Sequence, residues 1–175
     1  MIKTINILLF LLLSTELFSK VLISPIDAMK ANYGLNSTVT KKNILLSNIK
    51  FKNIQKNAKT KLNTKIYRIF TAKKDDVVLG YGILVSRKIR SKNGVVLYLI
   101  KNDKLQGIEI IAFNEAMEYI TSSTWNKQFS NTPTDKMLKL NRDIPSITGA
   151  TLSARSVVEG SRIAFAVYNE LLKGK

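Results

Sequence analysis

Residues 95–113, VVLYLIKNDKLQGIEIIAF, decide the fold. Two apolar runs, 95–101 and 107–113, flank Asn102-Asp103-Lys104, and Asn and Asp tolerate the left-handed backbone of a tight reversal. That pattern is a β-hairpin. Side chains alternate across a strand, so Tyr98 and Ile100 share one face, as do Ile108 and Ile110, and all four read as core. Upstream, residues 66–71 and 77–85 repeat the strand-like composition, with Asp75-Asp76 between them and Lys92-Asn93-Gly94 before the hairpin. Consecutive strands with short breaks make an antiparallel meander.

Helical signals surround the meander. Ser24-Pro25 is a strong helix start, because Ser caps free amides and Pro lacks the amide that would be orphaned. A helix over 25–33, closed by Gly34, follows. Ser47 caps a second helix, in which Phe51, Ile54 and Ala58 fall at helical spacing. Residues 114–119 read as a loop or a single turn, followed by a short helix over about 123–129. Trp125 and Phe129 lie on one face of it, either as a packed pair or as the wall of a ligand site. The clearest helix spans 152–172: Val157, Val158, Ala164, Val167, Tyr168, Leu171 and Leu172 form a stripe, with Arg155, Glu159, Arg162 and Lys173 outside it. The expected class is α+β, an antiparallel β-sheet flanked by helices, with the long C-terminal helix following Thr148-Gly149-Ala150-Thr151.

Composition limits the chemistry. The chain has 175 residues with 45% hydrophobic and 23% charged side chains, a globular balance suited to one domain. It has no Cys and no His, which removes thiol and imidazole catalysis, disulfides and the commonest zinc ligands. The 28 Lys and Arg against 12 Asp and Glu give a net charge of +16. Lys50, Lys52, Lys56, Lys59, Lys61 and Lys65 recur among Asn and Thr as a solvated face does. Few aromatics interleave with them, so base stacking is poorly served.

Residues 1–19 open with Lys3, continue through a largely apolar run over 5–13 and end near the small Ser19. This is the pattern of a secretory signal, and the run is far shorter than the roughly 20 residues a membrane span needs. The expectation is cleavage near Ser19, leaving residues 20–175 as one domain; an uncleaved anchor reaching toward Ile26 is the alternative. Either places the domain outside the cytoplasm, in the periplasm or tethered to the membrane, and export argues against a nucleic-acid partner.

Ser146-Ile147-Thr148-Gly149-Ala150-Thr151-Leu152-Ser153 opens the last helix, where the first amides lack internal partners and the macrodipole is positive. Such an end suits a phosphate. Gly149 permits close backbone approach, Ala150 adds little bulk, Thr148, Thr151 and Ser153 offer hydroxyls, and Arg155 lies one turn in. Residue types alone leave a second reading open, that Thr151 or Ser153 simply caps the helix.

Thr148-Gly149-Ala150-Thr151-Leu152-Ser153 before a C-terminal helix resembles the acceptor segment of the FMN-binding domain family, which includes flavin-carrying subunits of the sodium-translocating NADH:quinone oxidoreductase and of the Rnf electron-transfer complex. Gly80-Tyr81-Gly82, the segment 101–107 and Ile111-Ala112-Phe113-Asn114-Glu115 are similar to the family's order of elements, so the resemblance covers about 78–172. It implies FMN as cofactor, joined by a flavin transferase through a phosphoester to Thr151, and electron transfer with redox partner proteins or a quinone-linked membrane complex. It also implies an acidic flavin-site role for Glu115; with FMN as the ligand, the wall reading of Trp125 puts that side chain against the flavin ring. The family's pattern places an Asp six residues before the acceptor Thr. Here that position is Pro145, with Asp143 two residues further away, so either Asp143 supplies the carboxylate or FMN is held without the covalent bond. The different class of reading is a cofactor-free exported module whose basic surface holds anionic lipid or polymer.

Overall fold

A computed structural model describes residues 21–174; the signal expected over residues 1–19 lies outside the described residues. The chain runs α1 (Pro25–Tyr33), β1 (Thr38–Leu45), α2 (Asn48–Ala58), β2 (Ile66–Lys74), β3 (Val77–Lys88), β4 (Asn93–Lys101), β5 (Lys104–Phe113), α3 (Ser123–Asn126), β6 (Thr132–Pro133) and α4 (Thr151–Leu171), with short 3-10 turns at Met117–Tyr119 and Lys127–Phe129. The strands form one antiparallel sheet in the order β1-β2-β3-β4-β5-β6. This is the expected α+β class.

The local signals act where the sequence placed them. Ser24 accepts from the Asp27 amide at 3.1 Å and Ser47 from the Lys50 amide at 3.3 Å, capping α1 and α2. Asp75-Asp76 and Asn102-Asp103 all have positive φ, as two-residue hairpin turns require. One break is placed differently. Asn93 and Gly94 pair with Lys88 and Arg87 as part of β4, so the reversal falls at residues 89–92, closed by the Ile89 amide donating to the Lys92 carbonyl at 2.9 Å.

Helices cover both faces of the sheet. On one face, Ala28 and Met29 of α1 pack with Phe70, Leu97, Leu99 and Ile111. On the other, α2 and α4 pack with Tyr67, Ile83, Val96, Tyr98, Ile100 and Ile108. β4 is therefore apolar almost throughout, since its alternate residues serve opposite cores. Tyr98 and Ile108 are buried as expected, while Ile110 packs at the edge of the core. α4 lies against the sheet closely enough that a Cβ at Gly160 would run into the Tyr98 hydroxyl, which donates to the Val157 carbonyl at 2.9 Å. Among the described residues no helix is long and apolar enough to cross a membrane.

Candidate functional site

The start of α4 decides between the two readings of its Thr and Ser residues. Ala150 is the N-cap, and no side chain caps the helix. Thr151 donates its hydroxyl backward to the Ile147 carbonyl at 3.2 Å, and the first intrahelical donor is Ala154, bonded to the Ala150 carbonyl at 3.0 Å. The capping reading is thus corrected: Thr151 sits inside the first turn, where its side chain cannot fold back onto the amides that need an acceptor. Those amides keep their donor capacity for a ligand.

Gly149 has φ +78°, a left-handed conformation that costs a side chain about 1–2 kcal/mol. It turns the chain so that Thr148 and Thr151 are both exposed while Ala150 is buried. Ser153, only 2% exposed, carries a hydroxyl with no hydrogen-bond partner in the protein, and a buried unsatisfied polar atom is uncommon enough to need an explanation. A cavity of about 440 Å³ opens here, bounded by Gly149 to Ser153 on one side and by Arg90 and Tyr119 on the other. That size lies within the roughly 300–1,000 Å³ of small-molecule sites. Leu152, 42% exposed, adds an apolar contact at its rim.

The other candidates hold the surroundings. Glu115 Oε1 accepts from the amides of Arg90, Ser91 and Lys92 at 3.2, 2.7 and 2.7 Å. These bonds, that of Lys92 foremost, hold its carboxyl below the usual range. It fixes the β3–β4 reversal and does not itself line the cavity. Trp125 packs edge-on against Phe129 with centroids 5.1 Å apart, and its Nε1 donates to the Pro145 carbonyl at 2.9 Å, steadying the approach to the motif. Arg155 is exposed on α4 and does not line the cavity. The Asp143 carboxylate accepts from the Lys139 amide at 2.8 Å and pairs with Arg142 and Lys136 at 3.2 and 3.6 Å. The Lys139 amide is the chief reason that its carboxyl also sits low. Asp143 closes its own turn and does not line the cavity at the α4 mouth.

Arg90 and Tyr119 were missed by the sequence reading, since only the fold brings them to α4. The guanidinium of Arg90 lies 4.7 Å from the Tyr119 ring centroid, and Arg90 carries the only charge among the described residues lining the cavity.

An uncapped helix end, a glycine turn, exposed threonine hydroxyls, an orphaned buried hydroxyl and one cation meet here, the chemistry that a phosphorylated ligand would use. Residues 91–166 match the family model of the FMN-binding domain. The match runs from the β3–β4 reversal into α4, and it indicates FMN as the cofactor. No curated protein matches the chain.

Proposed function

We infer that the chain is an exported flavoprotein domain that carries FMN at the mouth of α4, joined through a phosphoester to Thr151, and passes electrons between a membrane or quinone-linked donor and an extracytoplasmic acceptor. The observation that carries this reading is the placement of Thr151: first residue of a 21-residue helix with no side-chain cap, its side chain exposed beside a cavity. A phosphate bonded there would face the free amides and the positive end of the macrodipole.

The chemistry at Thr151 is an esterification. An O–P bond forms at Oγ1 and the hydroxyl proton leaves. Because joining an alcohol to a free phosphate is unfavourable in water, the flavin phosphate must arrive in an activated phosphoanhydride whose own bond breaks, with a nucleotide leaving. That is work for a flavin transferase. Electron transfer then belongs to the isoalloxazine, and the protein binds and orients it. A chain without Cys or His is suited to such a role. Leu152 at the cavity and the exposed Met117, in the same short turn as Tyr119, offer apolar surface. Export rests on the signal pattern of residues 1–19.

Protein purified from a host that exports it and expresses a flavin transferase tests the reading. Oxidised-flavin absorbance should stay with the polypeptide after denaturation, and the mature N-terminus should begin near residue 20. Colourless protein from that host would contradict the flavin assignment; an N-terminus at Met1 would contradict cleavage alone.

A further inference from the structure

We propose that Arg90 is the cation that meets the flavin phosphate, and that Glu115 and Tyr119 are the residues that position it; this rests on the flavin reading above. Arg90 stands on the four-residue reversal between β3 and β4, an exposed place where a long side chain would ordinarily move freely. Two contacts prevent that. Its backbone is held because three successive amides, of Arg90, Ser91 and Lys92, converge on Glu115 Oε1, the concave arrangement that binds anions elsewhere. Its guanidinium is held over Tyr119, 4.7 Å from the ring centroid, by cation–π attraction. The positive charge is thereby fixed across the cavity from Gly149 to Ser153.

Independent support for a ligand between these walls comes from Ser153, whose buried hydroxyl has no partner in the protein and which lines the same cavity. A phosphate ester retains anionic oxygens that the Ser153 hydroxyl, the α4 amides and Arg90 can share. Guanidinium is suited to that task because its fork donates two parallel bonds to a phosphate. The role given to Glu115 also explains why an acidic residue belongs near a site for an anion: its charge is spent on the loop amides.

FMN and riboflavin differ only by the phosphate, so the comparison between them isolates Arg90. The full chain, produced without flavin transferase, is titrated with each while flavin fluorescence is followed. The unmutated protein should prefer FMN by about tenfold or more. Arg90→Ala should reduce the preference to within about twofold, with riboflavin affinity and melting temperature unchanged, and Arg90→Lys should retain part of it. Glu115→Gln and Tyr119→Leu should lower the preference while leaving riboflavin binding in place, which a merely structural lesion would not do. Full FMN preference in Arg90→Ala would overturn the assignment. If the unmutated chain itself bound neither flavin, or both equally, the phosphate site would fall and Arg90 with it, an outcome visible before any variant is made.

Discussion

Seating α4 on the sheet places Thr151 at the cavity, so the contact between Gly160 and Tyr98 gives a quantitative test of that seating. In an exposed helix, Gly→Ala stabilises by about 1 kcal/mol. At Gly160 the new methyl would strike the Tyr98 hydroxyl and lie 3.0 Å from Tyr98 Cζ. Overpacking of this kind costs about 1–3 kcal/mol. Displacing a fully buried hydroxyl from its bond to Val157 adds about 1–3 kcal/mol. The unfavourable terms win, and Gly160→Ala should destabilise by about 1–5 kcal/mol net, lowering Tm by several degrees or more. Chemical denaturation of Gly160→Ala, Tyr98→Phe and the double variant measures it. Because Phe removes the nearer of the two clashing atoms, the double variant should be more stable than the sum of the single effects by about 1 kcal/mol. A Gly160→Ala protein more stable than the unmutated chain would show that helix propensity alone governs the position and would refute the close approach.

Gly149→Ala should cost about 1–2 kcal/mol through its positive φ and lower flavin loading more than stability alone explains, read as flavin per polypeptide. Trp125→Phe keeps the packing with Phe129 but removes the bond to Pro145. It should cost about 1 kcal/mol and raise amide exchange over residues 141–150. Glu115 and Asp143 both have depressed native carboxyl values. Their contribution to stability is therefore complete above the ordinary carboxylate range of about pH 4 and lost as pH falls through the native values. Melting temperatures between pH 6 and pH 3 should fall less steeply in Glu115→Gln than in the unmutated chain.

The hairpin of residues 95–113 was legible because its apolar runs are interrupted by residues that accept a left-handed backbone. The helices were legible from Ser24, Pro25 and Ser47. β1 was not: Thr38–Leu45 carries Lys41, Lys42 and Asn43 and is almost wholly exposed. It joins the sheet through backbone pairing with β2, and edge strands are commonly charged, so no apolar alternation marks it. Lys92-Asn93-Gly94 reads as a turn by composition, yet Asn93 and Gly94 extend β4 by pairing with Lys88 and Arg87, and Ile89 packs where a Cβ at Gly94 would stand. At the site, Thr151 and its neighbours were legible as a local run. The absence of a side-chain cap was not, since Thr and Ser suit capping and ligation equally. Arg90 and Tyr119 reach α4 only through the meander, and a single sequence gives no sign of that proximity.

Thr151→Ala, exported beside the unmutated protein from a host expressing flavin transferase, tests the central claim most directly. After denaturing electrophoresis the unmutated band should fluoresce as flavin and the Thr151→Ala band should be dark. Equal fluorescence in both bands would contradict attachment at Thr151.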